Sequence, residues 1–368
     1  MKIQSVYSTN QNVNDAVKEI KDQIKVSEPK LIIFFASSRY DQEAVATKMK
    51  ESFKNSDVVG CSTAGELVSG KMLNDSIVAM AFAKEKIGDL KVEVIENLKK
   101  SVDPQRAFEN FEKHFGEKLQ DMDFKKYFGI ILFDGLSNSE EKLMDKIGTK
   151  TNVNFIGGSA GDDLKFQKTF VSANGKAYSN AAILVLVKPE TEFDILKTQS
   201  FVSTNKVFTA TKVDEEKREI LELDGKATVE VYAEAINESV ENISAGFMTY
   251  PLGVMVGDEP FVRSPQQPSG KGIRFYCNVA EGTELTLLKS EDIVADTKQD
   301  LEKKLNEFGN IEGLINFNCI LRTLELKGKN QADDYGKVFS DIPTIGFSTY
   351  GEEYIGHINQ TAVMLVLK

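Results

Sequence analysis

The stretch Val59-Gly60-Cys61-Ser62-Thr63-Ala64-Gly65-Glu66 lies between two apolar segments and decides how the chain is organised. Two related stretches stand in the same context: Ile156-Gly157-Gly158-Ser159-Ala160-Gly161-Asp162 and Ile345-Gly346-Phe347-Ser348-Thr349-Tyr350-Gly351-Glu352. An apolar strand pattern and a helical pattern precede each stretch, and another strand pattern follows it. The sequence therefore predicts one unit used three times: a strand, a helix, a Gly-x-Ser turn ending in Gly-acid, and a strand.

Strand and helix patterns alternate along the whole chain. Short apolar runs typical of buried strands cover residues 31–36, 77–82, 129–133, 181–187, 313–321 and 361–367. Apolar residues at helical spacing lie between them, as in Val13, Val17, Ile20 and Ile24. This alternation predicts a mixed α/β fold: two α/β lobes with mixed β-sheets flanked by helices, built from the recurring strand–helix–turn–strand unit.

The length of 368 residues exceeds what one hydrophobic core usually holds, so two domains are expected. We place them at 1–205 and 206–368, because strand 181–187 closes the first half and a charged connector follows at 211–223. Within the second half, four prolines and four glycines in residues 251–272 predict a long irregular loop, which contains Arg263.

Composition and charge exclude several functions. The net charge is −11 without a compensating basic run, which disfavours nucleic-acid binding. The N-terminus has no signal-peptide pattern, and no apolar run approaches the roughly 20 residues that span a bilayer. Three widely spaced cysteines imply no disulfide framework. We expect a cytoplasmic protein without an integral membrane segment.

Catalytic and metal-binding patterns are weak. The two histidines and three cysteines show no metal-ligand spacing, so no metal site is expected. Residues 157–161 match the nucleophile elbow of serine hydrolases, with His357 downstream, but the same turn recurs twice in a different frame. Cys61 and Cys319 end apolar strands and are better explained as buried thiols. The sequence predicts no catalytic residues and a protein that is not an enzyme.

A cluster of polar residues flanks the last two strands. Its members either satisfy one another as a structural network or line a pocket for a polar ligand. Arginines could offer paired donors to a carboxylate, and Glu352 could pair with an ammonium group. The candidate ligand-binding residues are Arg263, Cys319, Arg322, Tyr350, Glu352, His357 and Asn359.

These motifs together resemble the FIST family, a sensory domain with N-terminal and C-terminal halves. The resemblance covers about residues 30–365. It rests on the stretches 60–66, 157–163, 223–227, 250–254, 262–263, 281–283, 319–322, 346–352 and 357–361. It implies a bacterial signal-transduction domain that binds a small polar ligand, with amino acids proposed. Because no output domain accompanies the motifs, we expect the chain either to act in trans on a signalling output protein or simply to hold a ligand.

Two alternatives remain open. A branch of the family resembles nitric-oxide-sensing haem proteins, and this resemblance would make His357 the axial ligand of a non-covalent haem. The main expectation is that no cofactor is bound, because a lone histidine is more often structural. The second alternative is an interaction scaffold without any ligand.

Overall fold

The computed structural model describes residues 2–368 and divides them into two compact units. The first unit holds residues up to 197, together with 298–357 and 362–368, and the second holds 198–297 and 358–361. With 26% of residues in helices and 41% in strands, the mixed α/β class is confirmed. The division into domains 1–205 and 206–368 stays a prediction.

The first copy of the repeated unit begins the chain. It consists of β1 (Ile3–Ser8), α1 (Val13–Gln23), β2 (Pro29–Ser37), α2 (Gln42–Ser52), β3 (Asp57–Thr63), β4 (Glu66–Val68), β5 (Lys71–Leu73) and β6 (Ile77–Ala83). The Asn12 side chain caps α1 by accepting from two backbone N–H groups. The apolar face of α1 buries Val17 and Ile20, as the helical spacing predicted.

The second copy follows directly with the same order of elements. It consists of β7 (Ile87–Glu96), α3 (Gln105–Phe115), β8 (Phe128–Phe133), α4 (Glu140–Lys150), β9 (Phe155–Ser159), β10 (Val171–Ala173), β11 (Lys176–Tyr178) and β12 (Ala181–Pro189). Strands β8 and β9 are parallel, and β12 runs antiparallel to both β7 and β8. Phe111 and Leu143 lie in the core that α3 and α4 form against this sheet.

The third copy starts with β13 (Phe193–Gln199), after which the second unit is inserted in the sequence. The inserted elements are β14 (Phe201–Asp214), β15 (Glu219–Leu223), β16 (Lys226–Ala227), α5 (Thr228–Ile236), β17 (Leu252–Val256), β18 (Glu259–Arg263), β19 (Pro265–Ser269), β20 (Gly272–Phe275) and β21 (Glu284–Ser290). They form one eight-stranded sheet with its own core, in which Tyr232 of α5 packs against Phe247.

The expected irregular loop at 251–272 is wrong, because four strands occupy this region. Strands β18 and β19 are the two edges of the sheet. Pro260 lies in β18, and Pro265 and Pro268 lie in β19. A proline has no N–H to donate, so edge strands accept it where central strands do not.

After the insertion the third copy resumes. It continues with α6 (Ile293–Phe308), β22 (Gly313–Cys319), α7 (Ile320–Gly328), α8 (Ala332–Lys337), β23 (Thr344–Thr349), β24 (Glu352–Glu353), β25 (His357–Ile358) and β26 (Thr361–Leu367). The strand predicted at 313–321 ends two residues early, because helix α7 begins at Ile320. The recurrence of one unit three times is thus present in the fold.

The three copies exchange hairpins in a cycle. Hairpin β4–β5 of the first copy pairs with β23 of the third, hairpin β24–β25 of the third pairs with β9 of the second, and hairpin β10–β11 of the second pairs with β3 of the first. Three six-stranded sheets result, with the orders β1-β6-β2-β3-β10-β11, β7-β12-β8-β9-β24-β25 and β13-β26-β22-β23-β4-β5. No copy completes its sheet alone.

The first glycine of each Gly-x-Ser motif is required by close backbone packing. A Cβ atom at Gly60 would lie 2.3 Å from the Phe34 carbonyl oxygen. At Gly157 it would lie 1.7 Å from the Ile131 oxygen, and at Gly346 it would lie 2.3 Å from the Asn316 oxygen. The neighbouring parallel strand therefore leaves no room for a side chain in any copy.

Candidate functional site

The three Gly-x-Ser turns meet inside the first unit. We name them turn 1 (residues 59–66), turn 2 (156–162) and turn 3 (345–352). Each turn is hydrogen-bonded to the other two, through Ser62 Oγ to Gly161 O (2.9 Å), Ser159 N to Gly351 O (2.9 Å) and Ser348 N to Gly65 O (2.8 Å). The strand exchange thus places the motif residues of all three copies at one junction.

The acid of turn 1 is buried and fully hydrogen-bonded. Glu66 Oε1 accepts from the Thr63 hydroxyl, and Glu66 Oε2 accepts from the Ser76 N–H (3.0 Å) and the Ser76 hydroxyl (2.6 Å). Burial raises the pKa of Glu66 to about 7, although these hydrogen bonds oppose the shift. In turn 3 the same spacing recurs, since the Thr349 hydroxyl donates to Glu352 at 2.5 Å.

The acid of turn 2 behaves differently. Burial disfavours the charge of Asp162, but the Tyr350 hydroxyl (2.5 Å) and the N–H groups of residues 166–168 donate to it and lower its pKa. Tyr350 also stacks on Phe166 with the ring centroids 5.1 Å apart. Tyr350 of turn 3 therefore holds the loop that follows turn 2.

A buried acid–base pair lies just beyond turn 3. Glu353 ends β24 and His357 begins β25, and Glu353 Oε1 lies 2.9 Å from His357 Nδ1. Burial would lower the pKa of His357, but the Glu353 carboxylate raises it to about 9. Burial raises the pKa of Glu353 to about 7 against the attraction of His357. Their side chains are 0% and 2% exposed, so water screens this pair little.

The pair is connected to the junction of the turns and contains an unsatisfied atom. The His357 ring packs on the Gly351 backbone, where an added Cβ atom would lie 2.1 Å from His357 Cε1. The carbonyl of Gly351 accepts the Ser159 N–H of turn 2. Glu353 Oε2 is buried and accepts no hydrogen bond from residues 2–368. A buried carboxylate oxygen without a donor is the feature of this site that most indicates a missing partner.

Arg322 is the centre of a second buried network. Arg322 Nε donates to Asn318 Oδ1 at 3.1 Å, and the guanidinium lies over the Tyr335 ring. Asn318 Nδ2 donates to Thr323 Oγ1, which lies 2.8 Å from the Ser348 hydroxyl of turn 3. This network packs α7 against turn 3.

The structure distributes the other predicted site residues. Cys319 is buried at the end of β22 and is not in a disulfide. Arg263 and Asn359 belong to the second unit, where Arg263 donates to the carbonyl oxygens of Phe261 and Val262. The networks of Tyr350, Arg322 and His357 in the first unit each contact turn 3. The assignment of all seven residues to one ligand site stays a prediction.

Comparison with known proteins decides the family. The FIST N domain matches residues 30–226, and the FIST C domain matches residues 228–354. This chain belongs to the FIST family. The resemblance inferred from its motifs is confirmed, and FIST domains are sensory signal-transduction domains.

The chain is also similar to a protein of Methanocaldococcus jannaschii. The chain is 26% identical over 316 residues to an uncharacterized protein, MJ1623, of Methanocaldococcus jannaschii. The aligned region covers 79% of this chain and 61% of that protein, so the chain spans less than two thirds of the relative's length.

Two residues of the site in this FIST chain were not predicted from the sequence, namely Glu353 and Glu140. The sequence analysis assigned Glu352 to the site and not Glu353, although Glu353 lies four residues before His357. Glu140 begins α4 and lies 3.3 Å from the Ser159 hydroxyl. No sequence signal links Glu140 to Ser159, because the contact depends on the path of the chain between β8 and β9.

Nucleophilic catalysis finds no support in the FIST turns. The Ser159 hydroxyl faces Glu140, while His357 Nδ1 is occupied by Glu353. Burial raises the pKa of the Cys61 thiol well above its ordinary value, which lowers its reactivity at neutral pH. We therefore derive no catalytic step from these residues.

The surroundings of His357 do not fit a haem. The ring packs on Gly351 through Cε1 and Nε2, since an added Cβ atom there would lie 2.1 Å from Cε1 and 2.8 Å from Nε2. The other ring nitrogen is held by Glu353. Among residues 2–368 no group of three or more histidine, cysteine or acidic side chains could hold a metal ion.

The helices of residues 2–368 are all too short or too polar to span a lipid bilayer.

Proposed function

We propose that this chain is a cytoplasmic sensory signalling domain that binds a small polar ligand with an amino group, such as an amino acid, at Glu353. The observation that carries this proposal is the buried Glu353 Oε2 without a hydrogen-bond donor. Such a group costs about 1–3 kcal/mol while it stays unpaired, and more when it is charged. A ligand ammonium group would supply both the N–H donor and the opposite charge.

The hairpin around Glu353 offers a route to this oxygen. Glu353 and His357 face each other across the hairpin, and the Tyr354 N–H donates to the Gly356 carbonyl in its loop (2.9 Å). Ile355 at the tip is 73% exposed and has a φ of 59°. A β-branched residue in this left-handed conformation is strained. We infer that the loop opens to admit the ligand and closes over it.

The same contacts provide a path for the signal. A ligand at Glu353 changes the charge beside His357, whose ring packs on Gly351. Gly351 in turn accepts the Ser159 N–H, which belongs to turn 2. Binding at one hairpin would therefore bias the junction between two copies of the repeated unit. A signalling output protein that acts in trans is the proposed receiver, and no catalytic role is assigned to the chain.

The amino group is tested with a matched pair of variants. Thermal unfolding is followed with each standard amino acid and with simple polyamines. A ligand present at 100 times its dissociation constant should stabilise the native protein by about 2.7 kcal/mol. Glu353→Gln keeps the shape of the side chain but removes the charge, so it should abolish the shift.

The control is Glu66→Gln, which changes the other buried acid with a pKa near 7. This variant should keep the ligand response, since Glu66 already has its donors. A full response in Glu353→Gln would remove Glu353 from the site. The protein should not shift the Soret band of added haemin, and a shift that is lost in His357→Ala would favour the haem alternative instead.

A further inference from the structure

A lysine-rich cleft lies in the second copy beside the start of α4, and its lining includes neither Glu353 nor His357. It has a volume of about 520 Å³ and is bordered by the segment after β7 and by the first turns of α4. Its charged lining residues are Lys99, Lys100, Lys142, Lys146 and Asp145. Four ammonium groups against one carboxylate give a local excess of positive charge in a chain whose net charge is −11. Such a concentration of one sign in a concave surface attracts the opposite charge.

Among the described residues, three of the lysines that line the cleft do not form ion pairs with acidic side chains. Within residues 2–368, Lys99, Lys100 and Lys142 have no acidic partner in an ion pair, whereas lysines elsewhere, such as Lys118 and Lys368, do. Lys146 donates to the Val102 carbonyl at 2.5 Å, which fixes its ammonium group at the wall of the cleft. Asp145 offsets only one of the four lysines, so the lining of the cleft keeps a net positive charge.

The start of α4 adds a second donor set. In the equivalent helix α2 the Asp41 carboxylate caps the N–H groups of Glu43 and Ala44 at 3.0 and 3.1 Å. At α4 the Ser139 side chain makes no such cap, because its hydroxyl donates to the Ser137 carbonyl instead. The helix N-terminus that borders the cleft is thus left without a side-chain cap, although Glu140 and Glu141 in its first turn offset part of its attraction for anions.

Ser137 gives an independent sign of a missing ligand. It lines the cleft and is 4% exposed, and its own hydroxyl has no hydrogen-bond partner among the described residues. A buried hydroxyl in this position is expected to be satisfied. A phosphate oxygen accepts from a hydroxyl, from ammonium groups and from helix N–H groups alike.

We propose that this cleft binds a small phosphorylated ligand carrying at least two negative charges. Lys99, Lys100 and Lys142 would neutralise the phosphate groups, and Ser137 would donate to one of their oxygens. The volume is within the range of small-molecule sites, which suits a soluble metabolite. The site is distinct from Glu353, so the chain would respond to two ligands of different charge.

Inorganic pyrophosphate is the probe, and isothermal titration calorimetry measures its binding to the full chain. Wild-type protein should bind it, with an affinity that falls as the salt concentration rises. Lys142→Ala should weaken binding about tenfold, because a hydrogen bond between two charged groups is lost. Ser137→Ala should weaken it severalfold and leave the fold intact, since the hydroxyl has no partner to lose.

Lys113→Ala is the matched control, because Lys113 is an exposed lysine on the neighbouring helix α3. It should bind pyrophosphate like the wild type, and so should Glu353→Gln, which separates this proposal from the proposed function. An equal loss in Lys113→Ala would overturn the proposal, as would unchanged binding in both Lys142→Ala and Ser137→Ala. Binding to phosphatidylserine vesicles without binding to pyrophosphate would overturn it in favour of a membrane surface.

Discussion

Two buried glutamates of the first unit differ in what surrounds them. Glu66 in turn 1 receives three hydrogen bonds from neutral groups of Thr63 and Ser76. Glu353 beyond turn 3 lies against a titratable histidine and leaves one oxygen without a donor. Burial raises the pKa of both carboxyls to about 7. A raised pKa alone therefore does not separate a structural acid from a binding acid, whereas the inventory of donors does.

The hairpins that carry the two regions differ in the same way. The loops of hairpins β4–β5 and β10–β11 place Gly70 and Gly175 at positive φ, where glycine is not strained. The loop of β24–β25 places Ile355 there instead. The third copy thus combines an unsatisfied acid with a strained, exposed loop, while the other two copies have ordinary structural turns.

The largest expected effect is the loss of the histidine partner. His357→Ala leaves Glu353 buried without its neighbour, and breaking a buried pair in this way costs about 3–5 kcal/mol. Ser76→Ala removes a hydroxyl from Glu66 but leaves the Ser76 N–H and Thr63 in place, which should cost about 1–3 kcal/mol. Urea unfolding at neutral pH measures both changes in the free energy of unfolding.

The other histidine provides the control for this experiment. His114 pairs with Asp89 at 3.0 Å, but both side chains are partly exposed. His114→Ala should therefore change the free energy of unfolding by no more than about 1 kcal/mol. If His357→Ala costs no more than His114→Ala, the buried pair is not a strong interaction and the contrast with Glu66 loses its basis.

Much of the fold could be predicted from sequence because the hydrophobic patterns are strong. The strand patterns at 31–36 and 129–133 and the helix at 13–24 appear where expected, and the threefold recurrence is present. The start of α7 was missed because Cys319, Ile320 and Leu321 extend the apolar pattern of the strand and hide the change from strand to helix. The hairpin exchange could not be predicted, because short strands such as β4 and β24 carry no signal for their distant partners.

The candidate site was less predictable than the fold. The motif residues of turn 3 pointed to the right region, because polar groups next to a buried strand must find partners. Thr349 precedes Glu352 by three residues, as Thr63 precedes Glu66, but no sequence pattern shows that one oxygen of Glu353 lacks a donor. Arg322 was expected to face a ligand, and in the structure its Nε donates to Asn318 of the preceding strand β22.

The pH dependence of stability above pH 7 should separate the two regions, because His357 titrates there and both Glu66 and Glu353 titrate below it. The pKa of Glu66 rises from 4.5 to about 7 on folding, so the native state binds more protons and stability falls as the pH rises between these values. The pKa of His357 rises from 6.5 to about 9, so its contribution is complete below pH 6.5 and is lost as the pH rises through 9. Urea unfolding across pH 4 to 10 measures both windows.

Variants assign each window to its residue. Glu66→Gln should reduce the decline between pH 4.5 and 7 without abolishing it, because burial also raises the pKa of Glu353 to about 7. The decline above pH 7 should stay in place. Glu353→Gln should remove the upper decline, because His357 then lacks the carboxylate that raises its pKa. An upper decline of full size in Glu353→Gln would show that another group titrates there.

The smallest expected effect tests the strain in the hairpin loop. Ile355→Asn should raise the free energy of unfolding by about 1 kcal/mol, because asparagine tolerates a φ of 59° better than a β-branched residue does. Little burial is lost, since Ile355 is 73% exposed. Val256→Asn is the control, because Val256 is also exposed, is also β-branched and lies in a strand without positive φ. It should give no gain in stability.

If Ile355→Asn destabilises the protein, the isoleucine makes a contact that outweighs its strain. A stabilised variant that no longer responds to the amine ligand would show that the strain serves opening of the loop, because natural proteins retain such local costs mainly where function needs them.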